Sequence, residues 1–363
     1  MDVRILAVPY DAGHRDRRMG RGPHALLAAG LADGLRALGH EVRVETVGEH
    51  PDFLASRGFP TEVATSFSVW YHVRERVRDA RLHGDLPVIL TGNCGAALGI
   101  VGGLQAAAGT GDSTVSVDSV DSVDLVDSVD SSHPAASLGS IDNVDPVDRE
   151  GSVAASAMID FRSVDAVGSS EVSADARPSA DALGVVWMDA HGDFNTPDTS
   201  ASGFLDGMSL ATLVGRCWRA LAGRVVGAPV PERNVLLIAS RDVDAEEDAL
   251  LRASRITRLS AAEVRGGGAF DAALAELRGR AARVYLHVDL DTLDPRDANA
   301  NAFAAPDGLR AAELVDAVRR VGRALRLEAI CLSAYDPDAD ADGRVPPIAL
   351  RVLAAALATL IDD

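Results

Sequence analysis

Short β-branched runs alternate with longer stretches rich in alanine, leucine and arginine along most of this 363-residue chain. Such alternation is typical of a mainly parallel sheet whose strands are connected by helices. It predicts strands at residues 4–8, 41–46, 87–90, 184–189, 234–238, 256–259, 283–288 and 329–333. It predicts helices at residues 23–38, 67–82, 208–221, 269–280, 310–325 and 348–361. We therefore expect an α/β protein: a three-layer α/β/α sandwich with a mainly parallel central sheet.

Residues 109–183 interrupt this alternation. The first half of the segment repeats valine, aspartate and serine, and the second half is rich in small residues. A three-residue period matches neither the strand period of about 2 nor the helix period of about 3.6, so it offers no continuous apolar face to bury. We expect a single domain over residues 1–363, in which residues 109–183 form a low-complexity, acidic and disordered insertion.

The composition excludes several classes of function. The net charge of −19 disfavours nucleic acid and anionic membranes as partners, because both are polyanions. All 35 basic residues are arginines, which excludes Schiff-base and P-loop chemistry, since both need a lysine. The three cysteines form no CxxC pair, the chain has no long apolar run, and residues 1–9 do not resemble a signal peptide. We expect a cytoplasmic protein.

Two acidic clusters follow predicted strands. One is Asp189-Ala190-His191-Gly192-Asp193, and the other is Asp289-Leu290-Asp291. Because ligands bind at the carboxyl ends of the strands in open parallel sheets, both clusters are candidate site residues. Side chains repeat with period two along a strand, so Asp289 and Asp291 are expected on the same side of one strand.

Each cluster alone has an ordinary structural explanation, since an aspartate after a strand commonly forms a turn or the N-cap of the next helix. A third interpretation is that the acidic clusters are only surface charges of a salt-adapted protein. Their position after apolar strands disfavours it. Together, the clusters concentrate carboxylates where a cation would offset their mutual repulsion. Carboxylates with a single imidazole suit manganese, zinc or iron, so the sequence predicts a divalent metal site.

With their flanking residues, the two clusters resemble motifs of the arginase, agmatinase and formiminoglutamase family of ureohydrolases. The likeness extends through residues 193–197, 202–208, 241–244 and 289–295, and through Gly-Arg-Gly-Pro at 20–23. The resemblance implies a three-layer sandwich, a small-molecule substrate and a homo-oligomer, commonly a trimer or a hexamer. It also implies a binuclear Mn2+ site, with Zn2+ or a single ion as alternatives.

The resemblance further implies roles for the clustered residues. Asp189 and Asp289 would bridge the two ions, and Asp193 would complete the ligands of one of them. His191 and Asp291 would complete the ligands of the other. In that family two cations activate a water molecule that attacks a guanidinium or amidine carbon, so we count Asp193 among the catalytic residues as well as the metal ligands.

Two positions depart from the family's pattern. Cys94 lies where the family has a histidine ligand. A thiolate would shift the preference from manganese toward zinc or iron, whereas a small buried residue that binds no metal is the alternative. Asp206 replaces a histidine that transfers protons or orients the substrate. Asp206 is therefore either a catalytic acid/base or a turn residue before a helix.

Substrate-binding positions are retained only in part. An ungapped comparison from Asp291 places Ala334 at the family's guanidinium-binding glutamate, and alanine cannot pair with a guanidinium. Ser333 and Asp336 are candidate replacements. Three other positions match residues that in arginases contact the amino-acid end of the substrate, and loop formation explains them equally well: Asn195, Ser202 and Asp244.

The leading hypothesis is a manganese-dependent hydrolase of a nonpeptide C–N bond in a linear amidine, guanidino or amide compound, with specificity altered relative to arginase. A variant uses a single ion held by Asp189, His191 and Asp289. The alternative is a noncatalytic metal-binding paralogue, which the loss of two family histidines and the glutamate supports. Against it, clustered carboxylates carry an electrostatic cost that an inactive relative would be free to lose.

Overall fold

A parallel sheet runs through the part of the chain that this computed structural model describes, residues 1–51, 53, 61–109, 182–281 and 283–360. The strands are β1 (Asp2–Val8), β2 (Tyr10–Asp11), β3 (His14–Arg15), β4 (Glu41–Thr46), β5 (Leu86–Thr91), β6 (Leu183–Met188), β7 (Val235–Ile238), β8 (Thr257–Leu259), β9 (Arg283–Asp289) and β10 (Arg326–Ser333). Eight of them pair in the order β4-β1-β5-β10-β9-β6-β7-β8. All these pairings are parallel, whereas β2 and β3 form a separate antiparallel hairpin.

Helices cover both faces of the sheet. They are α1 (Gly22–Ala28), α2 (Leu31–Ala37), α3 (Thr61–Leu82), α4 (Ala96–Ala108), α5 (Ser209–Leu213), α6 (Arg219–Val225), α7 (Ala245–Arg252), α8 (Ala261–Gly266), α9 (Gly268–Arg280), α10 (Ala311–Ala324) and α11 (Val345–Ala358). One buried core joins the sheet to α1, α2 and α8–α11, and the second joins it to α3–α7. The predicted three-layer α/β/α sandwich is confirmed.

Most side chains of the central strands are apolar because both faces of these strands are buried. On β6, Val186 and Met188 belong to one core, and Val185 and Trp187 belong to the other. This burial explains why continuous apolar runs, rather than alternating ones, marked the strands in the sequence. All eight predicted strands are present, with ends displaced by at most three residues.

The helix predictions needed more correction. The predicted helix 23–38 is divided into α1 and α2, because Gly30 between them takes a left-handed φ of 88°. The predicted helix 208–221 likewise ends early at α5, where the chain turns through Gly215 at φ 82° before α6 begins. Helices α4, α7 and α8 were not predicted. Ile361, the predicted end of the last helix, lies outside the described residues.

The parallel arrangement brings the carboxyl ends of β5, β6, β9 and β10 to the same edge of the sheet. These are the neighbouring strands of its centre, so the loops that follow them lie side by side. Residues 110–181 of the predicted insertion lie outside the described residues, between α4 and β6. Among the helices of the described ranges, none is long and apolar enough to cross a membrane.

Candidate metal centre

Side chains from the ends of β5, β6 and β9 converge into two groups of potential metal ligands. In the first group, the donor atoms of Cys94, Asp189, His287 and Asp289 all lie within 4.8 Å of one another. In the second group, those of Asp189, His191 and Asp291 satisfy the same limit. Asp189 belongs to both groups, so the two clusters predicted from the sequence meet in one place.

The loop 189–193 is held in a tight turn by its own carboxylate. Oδ1 of Asp189 accepts a hydrogen bond from the backbone N–H of His191 at 2.8 Å, and Nδ1 of His191 lies 3.3 Å from the same oxygen. A Cβ atom on Gly192 would lie 2.6 Å from Oε1 of Glu247, so a larger residue there would have to displace this side chain. Asp193 follows in the left-handed region with φ 49°. The turn therefore directs three potential ligands to one side.

Asp289 and Asp291 converge by a different route from the one predicted. β9 ends at Asp289, and Asp291 lies in the following 3-10 turn, Leu290–Thr292, rather than on the strand. Asp289 is the N-cap of this turn, and its Oδ1 accepts a hydrogen bond from the backbone N–H of Asp291 at 2.8 Å. The same-strand explanation is thus wrong, although both carboxylates reach the cluster.

The cluster concentrates negative charge in a buried space. Burial, followed by the charges of neighbouring carboxylates, raises the pKa of Asp189, Asp193 and Asp289. Burial lowers the pKa of His191, but the hydrogen bond to Asp189 and the charges of Asp291 and Asp189 outweigh it and raise this pKa to about 10. The imidazolium form therefore compensates part of the negative charge, as a cation would do more completely.

One buried oxygen of this cluster has no hydrogen-bond donor among the residues that the structure describes. Oδ2 of Asp193 is buried without a hydrogen-bond partner, and the Asp193 side chain feels the charges of Asp189, Asp206 and Asp289. A buried carboxylate oxygen without a partner is costly unless a cation binds it or a water molecule donates a hydrogen bond to it. The residues present therefore fit one or two divalent cations.

Cys94 is buried at the centre of the first group. Its thiol donates to Oδ2 of Asp289 at 3.0 Å and lies 3.3 Å from the hydroxyl of Ser333. Burial and the neighbouring carboxylates raise the pKa of Cys94, so without a cation the side chain is a neutral thiol. Cys94 therefore lies where it could bind a metal ion, and metal binding by this residue stays a prediction.

Asp206 lies beside Cys94 and holds the loop that carries it. Its Oδ1 accepts from the backbone N–H of Gly95 at 2.9 Å and from the hydroxyl of Ser209 at 3.2 Å, and its Oδ2 accepts from the amide of Asn93 at 2.9 Å. Burial raises the pKa of Asp206 to about 6 despite these donors. Asp206 therefore holds this loop in place by hydrogen bonds, and it is also a carboxyl group that titrates near neutral pH.

A cavity of about 280 Å³ opens onto both groups. Its lining includes every residue predicted for the site: Cys94, Asp189, His191, Asp193, Asn195, Ser202, Asp206, Asp244, Asp289 and Asp291. Asn195 lies 3.5 Å from Asp244 through its amide nitrogen. The structure thus brings these positions together, while their individual roles stay predictions.

The opposite wall of the cavity has no acidic group at the position of the family's glutamate. Ala334 lines the cavity with φ 59°, and its carbonyl accepts from the amide of Asn301 at 2.8 Å. Ser333 faces the first ligand group, and Asp336 pairs with Arg21 outside the described lining. Neither candidate replacement therefore lies where Ala334 meets the cavity.

Three residues of this region were overlooked in the sequence. His287 belongs to the first ligand group, Glu247 accepts from the backbone N–H of Phe194 at 2.7 Å, and Asn301 donates to Asp291 at 3.2 Å. The strand period of two could have found His287, because it places this residue on the same side of β9 as Asp289. The sequence offers no comparable signal for Glu247 or Asn301, which come from a helix and a long loop.

The fold and the site together define an α/β/α protein with a carboxylate-rich centre for divalent cations. Residues 166–359, more than half of the chain, match the family model described as "Arginase family". This chain belongs to the arginase family.

Individual relatives agree with this assignment. The N(omega)-hydroxy-L-arginine amidinohydrolase of Streptomyces lavendulae is 33% identical over 167 residues, which cover 46% of this chain and 56% of that protein. The arginase of Bacillus caldovelox is 39% identical over 122 residues, covering 32% of this chain and 40% of the relative. The chain thus spans about half the length of the curated relatives it matches. The crystal structure of arginase from Bacillus cereus superposes with a TM-score of 0.69 at 21% identity, covering 98% of each chain, which supports the fold.

Proposed function

We propose that this protein is a metal-dependent hydrolase that cleaves a nonpeptide C–N bond in a linear amidine, guanidino or related amide compound, with a specificity that differs from that of arginase. The observation that carries the proposal is the convergence of two ligand groups, sharing Asp189, at the bottom of one cavity. Two divalent cations there would supply an activated water molecule and offset the negative charge that develops during the attack.

The protein's own residues would position and protonate the substrate. Asp206 would exchange a proton with the leaving nitrogen, because burial raises its pKa to about 6 and its side chain lines the cavity. Asn195, Ser202 and Asp244 would bind the distal end of the substrate. Phe204 and Phe303, whose rings stack at 6.2 Å between centroids, line the same cavity and would shield it from solvent.

The charge of the cavity favours a cationic substrate. Its described lining contains eight carboxylates and no arginine, so an anionic group would be repelled until cations are bound. Ala334 supports an altered specificity, because a methyl group cannot form the bidentate pair that a guanidinium prefers. A substrate with a smaller or less polar reacting end fits this wall better.

We also propose the identity of the ions and the assembly. The second group offers only carboxylates and one imidazole, which suits Mn2+. From the family resemblance, we propose that the protein is a cytoplasmic homo-oligomer, either a trimer or a hexamer.

A panel of guanidino, formimino and amide compounds would test the proposed activity. Purified full-length protein loaded with Mn2+ or Zn2+ should release urea or ammonia from at least one of them, and the near-isosteric Asp291→Asn variant should lose that activity. The loss of the guanidinium partner at Ala334 also favours a noncatalytic metal-binding paralogue. Tight binding of the ion without hydrolysis of any compound would establish that alternative.

A further inference from the structure

His287 is a fully buried imidazole that the proposed mechanism does not use. It lies on β9 two residues before Asp289, and its ring stacks on Trp187 with centroids 3.8 Å apart and planes 15° apart. The indole N–H of Trp187 in turn donates to Oδ2 of Asp189 at 3.1 Å. Trp187, which has no direct part in the predicted ligand set, therefore fixes the orientation of this ring beside the carboxylates.

The hydrogen bonds around His287 allow a tautomer in which Nδ1 carries the proton and Nε2 is free to bind a cation. The hydroxyl of Tyr285 lies 2.6 Å from Nδ1 of His287, and the same hydroxyl contacts the thiol of Cys331. If Tyr285 donates its proton to Cys331, its oxygen accepts the N–H of Nδ1. Nε2 of His287 is then left with its lone pair directed toward the first ligand group.

The hydroxyl of Ser333 has one proton and lies near three potential hydrogen-bond partners. This hydroxyl lies 3.2 Å from Nε2 of His287, 3.2 Å from Oδ2 of Asp289 and 3.3 Å from the sulfur of Cys94. While Cys94 is a thiol, its proton satisfies Asp289 and Ser333 satisfies His287. The Ser333 hydroxyl proton can be donated to either Nε2 of His287 or Oδ2 of Asp289 but not to both, so the other acceptor needs a second partner, either the Cys94 thiol or a cation.

We propose that His287 and Cys94 together form the nitrogen and sulfur part of the first cation site, completed by Asp189 and Asp289. This inference rests on the proposed metal-dependent function. The imidazole that the family's pattern places at residue 94, after β5, is thus supplied from β9, on the far side of β10. Four donors that bind one ion at about 2.0–2.3 Å lie no more than about 4.6 Å from one another. The donors of this group already lie within 4.8 Å of one another without a cation.

The donor types predict a selective site. A thiolate and an imidazole with two carboxylates prefer Zn2+ or Co2+ to Mn2+, whereas the second group lacks sulfur. Tyr285 holds the far nitrogen of the imidazole, as partners of ligating histidines usually do. The two cation sites of this protein should therefore differ in preference, with the softer ion in the first.

Two measurements on the full-length protein test the proposal. Histidine labelled with 15N should show a large shift of Nε2 of His287 when Zn2+ is added to the wild-type protein, which requires no variant. The Co2+-loaded protein should show an absorption band of thiolate-to-cobalt charge transfer that disappears in Cys94→Ala. An unchanged His287 resonance while Zn2+ is bound, or no binding of Zn2+ at all, would overturn the assignment.

Variants separate ligation from packing. His287→Phe keeps a flat ring against Trp187 but removes both nitrogens, and it should lower the affinity for Zn2+ by at least about 100-fold. Ser333→Ala removes a hydrogen-bond partner that is not a proposed ligand, and it should lower the affinity by only about tenfold, well below the loss in His287→Phe. Equal losses in both variants would contradict the proposal. These readouts are independent of turnover, so a protein that binds Zn2+ through His287 but hydrolyses nothing would refute only the proposed function.

Discussion

The sulfur of Cys94 lies 3.0 Å from Oδ2 of Asp289, which joins the loop after β5 to the end of β9 at the centre of the ligand cluster. In the metal-free protein this contact is a hydrogen bond from a neutral thiol. A cation placed between the two residues would replace the proton, since metal ligands of this type bind as thiolate and carboxylate. The contact therefore marks the point at which this chain differs chemically from its family.

Removing the thiol should change which metal the protein prefers. Cys94→Ala deletes the only sulfur of the first ligand group, so the preference for Zn2+ over Mn2+ should fall at least about tenfold. Competitive titration followed by elemental analysis measures this ratio. Cys217→Ala is a suitable control, because Cys217 is also buried but contacts Thr212. A ratio unchanged in Cys94→Ala would show that the cysteine is a packing residue only.

A carboxylate at residue 334 should improve activity on guanidino compounds. Ala334 already has a Cβ and a left-handed φ of 59°, so Ala334→Glu adds no new backbone constraint while placing an acid on the cavity wall. A bidentate pair with a guanidinium should raise kcat/KM at least about tenfold, equivalent to about 1.4 kcal/mol. Steady-state kinetics against Ala334→Gln, which matches the length without the charge, provides the comparison. Equal values for the two variants would argue against the missing glutamate as the cause of altered specificity.

The sequence predicted the sheet well because buried parallel strands have a simple signature. The central strands differ from their predicted ends by only a few residues, since continuous apolar runs have few competing interpretations. The edge strand β4 matches its predicted ends although its polar and apolar residues alternate. Helices were harder, because a left-handed glycine such as Gly30 ends a helix without changing the surrounding apolar pattern. The short helix α8 shows a capping box at Ser260 and Glu263 that local sequence inspection could have found.

The site was predictable where ligands follow strands and unpredictable where they come from elsewhere. The ends of β6 and β9 gave Asp189 and Asp289 directly. The contribution of His287 depends on Trp187 of β6 and on Cys94 after β5, which reach it only through the order of strands in the sheet. No spacing in a single sequence encodes that order, so the structure was needed to see the imidazole beside the thiol.

Arg241 should prove to be a positioning residue for the second ligand group. Its guanidinium donates to the backbone carbonyls of Asp291 at 2.9 Å, Ala305 at 2.8 Å and Pro306 at 2.9 Å, and so fixes the long loop after β9. Arg241→Lys cannot reproduce this fork, and it should lower the free energy of unfolding by roughly 2–4 kcal/mol. Urea unfolding measures the loss, and Arg255→Lys, at an exposed arginine, is the control.

The same substitution has a second expected effect, on metal binding. Because Arg241 holds the backbone of Asp291, the lysine variant should bind Mn2+ more weakly by about tenfold, even under conditions where it is fully folded. Isothermal titration calorimetry at low temperature would measure the affinity for Mn2+. Full Mn2+ affinity together with lowered stability would assign Arg241 to the fold alone.

Without divalent cations, the protein should become less stable as the pH rises. The pKa of Asp206 is raised by burial from 3.8 to about 6, so the folded state binds this proton more tightly than the unfolded chain does. Its stabilising contribution is fully present below pH 3.8 and is lost as the pH approaches 6, a change of roughly 3 kcal/mol. His191, with its pKa raised from 6.5 to about 10, should add a further loss between these two values.

Chemical unfolding in the presence of a chelator, at intervals from pH 4.5 to 9.5, measures both windows. Asp206→Asn should flatten the acidic window relative to wild type while leaving the alkaline one in place. Adding Mn2+ should restore stability, and more strongly at high pH, because cation binding competes with the proton on His191 and the gain grows with the ratio of free ion to its dissociation constant. A metal-free protein whose stability instead rises between pH 4 and 6, and does so equally in Asp206→Asn, would show that the buried carboxylates of this centre do not hold their protons as the geometry requires.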